Sequence, residues 1–209
     1  MAVKIKICGI TNQEDASLCA EQGVDAVGFI FYRKSPRYIL PKQAKKIAQS
    51  LPCFVSKVGV FVDEPAASVS RIAESVGLDT LQFHGRESSA YCNRFRGRYK
   101  VIKSFFPKDA SAINKIKSYK VDGVLLDIPF AEKRSKPSAV LDLRIVRTIA
   151  KNTDFLILSG GLSAVNAAGI VKRLRPYAVD VARGVEKFPG KKDKEQVRLF
   201  IKAVRKAYK

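Results

Sequence analysis

The sequence predicts an α/β protein, a single (β/α)8 TIM barrel spanning residues 1–209 as one domain. Three observations lead there. Eight short apolar runs alternate with segments of helical periodicity. The runs are near-continuously apolar, as strands are when a parallel sheet is covered on both faces. The 209 residues match the roughly 200–250 of a one-domain barrel, and no linker divides them. An open doubly wound sheet is the competing architecture, but no G-x-G-x-x-G follows the first run.

The elements follow in order. The first strand, Lys4–Cys8, stops at Gly9, and Thr11 or Asn12 caps the helix that begins near Glu14-Asp15. The second strand is Ala26–Phe31, the third Ser56–Phe61, the fourth Thr80–His84 and the fifth Lys100–Phe105. The sixth is Gly123–Asp127, the seventh Phe155–Ser159 and the eighth Ala178–Ala182. Ser163 is the expected cap of the helix after the seventh strand. Two helix-to-strand joints, Gly23-Val24-Asp25-Ala26 and Gly77-Leu78-Asp79-Thr80, are near copies, with glycine where a helix ends left-handed. Residues 128–141, rich in charge and proline, are expected to form a mobile loop over the active face.

Composition narrows the function. No apolar run approaches the roughly 18 residues a bilayer span needs, so no membrane partner is expected. The opening Met1-Ala2-Val3-Lys4-Ile5-Lys6 lacks a signal-peptide core, and a cytoplasmic location is expected. Cys8, Cys19, Cys53 and Cys92 are widely spaced and His84 is the sole histidine, which argues against a metal site and for a reducing compartment. The net charge of +20 favours anionic partners. Its lysines and arginines are spread over nearly every helix, with the densest patches at Lys133-Arg134-Ser135-Lys136 and Lys191-Lys192-Asp193-Lys194. No nucleic-acid motif accompanies them, so a generally basic solvated surface is expected rather than a nucleic-acid interface. Monomer and homodimer are both open.

In a barrel the chemistry sits at the C-terminal ends of the strands and in the loops that follow. That rule selects Cys8, Arg37, His84, Asp127, Ser159-Gly160-Gly161 and Asp180 through Glu186. Each residue alone has a plain alternative. Cys8 reads as a small buried hydrophobe, Asp127 as a loop cap, His84 as a satisfied histidine and Arg37 as a surface residue. Functionally, Arg37 offers a planar fork for a carboxylate. Gly160, Gly161 and Gly184 either make tight turns or let backbone N–H groups approach a phosphate. Together, a thiol and a carboxyl at the ends of two parallel strands on one barrel face form an acid–base pair, which suits an isomerase better than a binding module.

The run Lys6-Ile7-Cys8-Gly9-Ile10-Thr11-Asn12 resembles the signature of the phosphoribosylanthranilate isomerases of tryptophan biosynthesis. The resemblance continues through Asp25–Phe31, Ser35-Pro36-Arg37-Tyr38-Ile39, Val58–Val62, Gln82-Phe83-His84-Gly85, Leu125-Leu126-Asp127 and Leu158-Ser159-Gly160-Gly161-Leu162. It ends with Asn166, Ala178–Val181, Gly184-Val185-Glu186 and Phe188–Asp193, so it covers nearly the whole chain in the family's order. The resemblance implies an Amadori rearrangement of a small phosphorylated substrate, without metal or organic cofactor. It implies Asp127 as general acid on the ribose ring oxygen and Cys8 as general base at C2′. It further implies Arg37 at the anthranilate carboxylate, Gly160, Gly161 and Gly184 at the phosphate, and Asp180 and His84 along the sugar.

Two segments depart from the family's pattern. After strand six the family usually carries a Gly-Gly-Thr/Ser-Gly loop followed by Phe-x-Trp; here Glu132–Leu143 holds no glycine, and the chain has no tryptophan. After strand eight, Ala182-Arg183-Gly184 replaces Ser-Ser-Gly or Ser-Asn-Gly, losing small polar groups and gaining Arg183 as a cation that either meets the phosphate or points away. Two alternatives therefore stand beside a working isomerase: the same barrel with weakened activity or a related phosphorylated aminosugar as substrate, and a basic barrel that binds polyanions.

Overall fold

The computed structural model describes residues 2–109, 111–128 and 143–207. The glycine-free loop singled out above, Ile128 apart, lies outside them, as does the basic patch at Lys133–Lys136.

Eight parallel strands close into a barrel in sequence order. They are β1 Lys4–Cys8, β2 Ala26–Ile30, β3 Ser56–Phe61, β4 Thr80–Phe83, β5 Lys100–Phe105, β6 Gly123–Leu126, β7 Leu156–Leu158 and β8 Ala178–Val181. The barrel shuts where β1 meets β8, with Lys6 opposite Asp180. The described helices are α1 Gln13–Glu21, α2 Pro41–Ser50, α3 Ala66–Val76, α4 Ser89–Asn93, α5 Ala112–Lys117, α6 Leu143–Ala150, α7 Ala167–Leu174 and α8 Lys194–Lys206. After β8 comes a 3-10 turn at Arg183–Val185, then an antiparallel hairpin of β9 Glu186–Phe188 and β10 Lys191–Lys192.

Alternation along each strand builds two cores. Outward residues such as Ile5, Ile7, Phe29, Leu81, Phe83 and Val179 pack with Val69, Ala73, Val197 and Phe200 of the helices. Inward Leu125, Ile157 and Ala178 fill the barrel with Ile102. Strands buried on both faces need a continuous apolar run, which is why these segments stand out in the sequence.

The joints at the N-terminal end of the barrel repeat more often than the sequence suggested. The carboxylates of Asp25, Asp79 and Asp122 accept the backbone N–H of Ile5, Lys57 and Val101, at 2.9, 2.8 and 3.0 Å. Each aspartate thus ties the start of one strand to the strand before it. Gly23 and Gly77 hold the expected positive φ, 76° and 75°. One cap differs. Asn12 caps α1, accepting from Asp15 at 2.9 Å. Ser163, however, does not begin α7: the chain turns first, and the helix starts at Ala167. Asn166 turns back instead, accepting from Ser163 N at 2.9 Å and donating to Gly161 O at 2.8 Å.

Candidate active site

The strands fall short of the apolar runs by at most one residue at either end, and the residues left over at their C-terminal ends carry much of the chemistry. His84 N donates to Phe61 O at 2.8 Å, Asp127 N to Phe105 O at 3.0 Å and Ser159 N to Leu126 O at 2.9 Å. Each first loop residue is therefore still stitched to the neighbouring strand. Side chains at the mouth inherit the rigidity of the barrel while standing clear of its ladder.

At one side of the mouth, Asp127 is buried and its Oδ1 accepts the N–H of Ile128 at 2.7 Å. Its Oδ2 lies 3.5 Å from His84 Nε2, a contact between β4 and β6 that must cross the mouth because β5 separates those strands. The other ring nitrogen, Nδ1, meets Ser104 Oγ at 2.7 Å and Gln82 Nε2 at 3.2 Å. The histidine is thus fixed by β4 and β5 and faces the carboxyl. A cavity of about 310 Å³ opens beside His84 and Ser104, lined further by Arg86, Phe106, Lys115 and Tyr119.

Cys8 is buried at the end of β1. Two residues earlier on the same face, Lys6 Nζ bonds Asp180 Oδ1 at 2.8 Å, with 5% and 7% of the two side chains exposed. Gly28 on the adjacent strand leaves the room: a Cβ there would lie 2.7 Å from Cys8 Sγ and 3.1 Å from Lys6 Nζ. Burial pushes the Cys8 thiol above its ordinary value; Lys6 pulls it down, Asp180 adds to the rise and Lys192 opposes it. Burial works against the charge on Lys6, but Asp180 and the Cys8 sulfur outweigh it and hold the ammonium above its usual range.

Arg37 folds over Gly9, whose φ is 77° and where a Cβ would fall 2.6 Å from Arg37 Cδ. Its guanidinium grips Glu186 with two nitrogens: Nε at 2.9 and 3.1 Å, and Nη2 at 2.6 Å. Glu186 Oε1 also takes Lys192 Nζ at 2.9 Å, and that ammonium donates to Cys8 O at 2.6 Å. Lys192 is fully buried, Lys191 pairs with Glu14 and Asp15, and Asp193 caps α8. Only Lys194 of the run 191–194 is exposed, so the run is not wholly the solvated basic patch its composition suggested. Lys192 is an internal brace that fastens β1 to the hairpin.

Gly160 and Gly161 both adopt positive φ, 80° and 74°. A Cβ on Gly160 would sit 2.8 Å from Asp127 Oδ1, so the β7 loop abuts the carboxyl directly. Gly184 faces the carbonyl of Leu162 so closely that a Cβ would overlap it, which locks the β8 loop onto the β7 loop. Arg183 is exposed beside it.

Cys8, Arg37, His84, Asp127, Gly160, Gly161, Asp180, Arg183 and Gly184 all lie toward the face formed by the strand C-termini and their loops. The structure pairs His84 with Asp127 and joins the Gly160 and Gly184 loops. It places Asp180 against Lys6 and Arg37 against Glu186. Sequence reasoning gave no role to Lys6, Ser104 or Lys192, and it selected Glu186 only as part of the run after strand eight. A lysine two residues before Cys8 in an apolar strand was the available signal, because an inward ammonium needs an inward carboxylate. Among the described residues no cluster of His, Cys, Asp and Glu could hold a metal ion, and no helix is long and apolar enough to cross a membrane.

With that geometry in place, the comparisons with known proteins are direct. The family model for N-(5'-phosphoribosyl)anthranilate (PRA) isomerase matches residues 5–203. The N-(5'-phosphoribosyl)anthranilate isomerase of Geobacter sp. (strain M21) is 43% identical over 203 residues, covering 97% of this chain and 98% of that protein. The crystal structure of phosphoribosyl anthranilate isomerase from Thermotoga maritima superposes with a TM-score of 0.91 at 39% identity, covering 98% of this chain and 99% of the other. A phosphoribosyl anthranilate isomerase in complex with reduced 1-(o-carboxyphenylamino)-1-deoxyribulose 5-phosphate gives a TM-score of 0.89 at 39% identity, with 98% and 99% covered. Sequence signature, barrel and family match agree over nearly the full length, and the chain belongs to the N-(5'-phosphoribosyl)anthranilate isomerase family.

Proposed function

We propose that this chain rearranges N-(5'-phosphoribosyl)anthranilate to 1-(2-carboxyphenylamino)-1-deoxyribulose 5-phosphate, with Asp127 as general acid and Cys8 as general base. The observation that carries the reading is a buried carboxyl and a buried thiol at the mouth of one barrel, the first just after β6 and the second at the end of β1. Asp127 gives its proton to the ribose ring oxygen as the bond from C1′ to that oxygen breaks. The nitrogen lone pair forms the iminium. The Cys8 thiolate then takes the C2′ proton, and the electron pair moves into the iminium to give an enolamine. Tautomerisation places a proton on C1′ and leaves the ketone at C2′. Hydrogen lost at one carbon is regained at the next, so the rearrangement balances without a cofactor.

The remaining roles follow the geometry. His84, held by Ser104, faces the Asp127 oxygen that does not accept the Ile128 N–H, which keeps the acid oriented. Arg37, braced by Glu186, turns its remaining edge to the anthranilate carboxylate. The joined loops carrying Gly160, Gly161 and Gly184 offer backbone N–H groups to the phosphate, and Arg183 adds a cation where the family has a small polar residue. The cysteines of the chain are free thiols, in keeping with a cytoplasmic enzyme.

The test is the fluorescence loss of phosphoribosylanthranilate followed with the wild type, Cys8→Ala and Asp127→Ala. Turnover by the wild type that falls at least about a thousandfold in both variants is the expected result, since each removes a proton-transfer group. A wild type as inert as its variants overturns the reading. Steeply salt-dependent binding of DNA or RNA without turnover would favour the polyanion-binding alternative instead.

A further inference from the structure

Beneath Cys8 lies a charge pair that the acid–base scheme does not use. Lys6 and Asp180 are register partners on β1 and β8, almost wholly buried, and bonded at 2.8 Å. A buried ion pair costs desolvation that its attraction often only offsets, so it is weak evidence for stability as such. Here it is aimed. Lys6 and Cys8 share one face of β1, and their end groups converge on the bare backbone of Gly28. Any side chain at that position would come between them.

We propose that Lys6 is a positioning residue for the reaction: its ammonium, anchored by Asp180, is the counter-charge that lets a buried Cys8 thiol become the thiolate base. The proposal rests on the isomerase reading for its purpose, but not for its measurement. When the thiol releases its proton to solvent, the new negative charge meets an ammonium already in place, and no charge has to be carried into the site. Asp180 has a double effect. Its carboxylate disfavours the thiolate, yet without it a buried lysine would shed its own proton and offer nothing. The charged groups that face Cys8 are few. Lys6 stands on its own strand, Asp180 on β8, and Lys192 on β10 with Glu186 of β9 behind it; β2 contributes only Gly28. Lys192 donates to the Cys8 carbonyl and is engaged by Glu186, so Lys6 is the cation left to answer the sulfur.

The experiment measures alkylation of Cys8 by iodoacetamide against pH in the full chain, reading the Cys8 peptide by mass in a Cys53→Ser background, because Cys53 is the exposed cysteine. Lys6→Met is expected to slow alkylation near neutral pH by at least about tenfold and to move its midpoint upward by about one pH unit for each factor of ten. The acidic limb of kcat/KM moves with it. Lys6→Met leaves Asp180 buried without its partner, so the paired variant Lys6→Met/Asp180→Leu, which leaves neither charge behind, is measured alongside and is expected to keep the upward shift. An unchanged midpoint in whichever of these variants folds overturns the proposal. The isomerase reading fails separately, by a wild type without turnover, and the alkylation profile still decides the role of Lys6.

Discussion

Glu186 shows how much one side chain can hold together. It accepts from Arg37 and Lys192 at once, and those two cations carry the chain from the β2 loop, over Gly9, to the carbonyl of Cys8. Burial pushes its carboxyl up, but the Arg37 hydrogen bonds and the Lys192 charge outweigh that and hold it below the usual carboxylate range. A depressed carboxylate contributes stability that is complete above its unfolded value and is lost as pH falls through its folded one. This contribution is therefore expected to be lost only in the acid range below that of an ordinary glutamate. Glu186→Gln, which leaves the buried Lys192 and the half-buried Arg37 facing a neutral amide, is expected to cost about 3 kcal/mol near neutral pH and to flatten that acid limb. Urea unfolding across pH checks both; a neutral-pH loss below about 1 kcal/mol would sink the account. Glu186 could be quoted from the sequence as part of a motif, but its work could not be read there. Its partners lie 149 positions away at Arg37 and 6 away at Lys192. Lys192 itself sits in a run whose composition reads as solvated surface, and only tertiary closure reveals it as buried.

Among the elements, the loops after β7 and β8 depend on each other more than on their own sequences. Gly184 approaches the Leu162 carbonyl without room for a methyl group, while Asn166 pins Gly161 and Ser163 from within the β7 loop. Gly184→Ala must separate the two loops. It is expected to cost about 1–3 kcal/mol as an overpacked contact. If the paired loops hold the phosphate, it should raise KM for phosphoribosylanthranilate at least about tenfold while changing kcat less. A variant with unaltered KM would show that the phosphate is held elsewhere. The strands were legible because burial on both faces demands unbroken apolar runs, and the glycine joints because only a left-handed turn fits there. The hairpin of β9 and β10 was not legible. Glu186–Phe188 and Lys191–Lys192 are short and polar, and they pair because Lys192 is drawn inward to Glu186 and Cys8 rather than by any apolar pattern. The start of α7 was misplaced as well: Ser163 has the right chemistry for a cap, but the chain turns through residues 164–166 first, with Asn166 bonding Ser163 N and Gly161 O, and the helix starts at Ala167.

For the molecule as a whole, the dominant quantity is the net charge of +20. The structure spreads it around the barrel: Lys42, Lys45 and Lys46 on α2, Lys115 and Lys117 on α5, Lys172 and Arg173 on α7, and Lys194, Arg198 and Lys202 on α8 are all exposed. Such an arrangement has two consequences of opposite sign. Like charges on a closed shell repel one another and weaken the folded state, whereas an anionic substrate is drawn toward the molecule from every side. Salt acts on both, because the screening length falls from about 10 Å at 0.1 M to about 3 Å at 1 M. The buried pairs at Lys6–Asp180, Lys103–Glu87 and Lys192–Glu186 are shielded from solvent, so screening reaches the surface repulsion first. Raising sodium chloride from about 0.05 to 0.5 M is therefore expected to raise Tm by a few degrees and to lower kcat/KM several-fold, with kcat nearly constant. Calorimetry and steady-state kinetics at matched salt concentrations read the two effects independently. A Tm that falls with salt would mean that surface ion pairs such as Arg98–Glu74 and Arg198–Glu195 outweigh the repulsion, and that the excess of cations is locally compensated rather than shared by the shell.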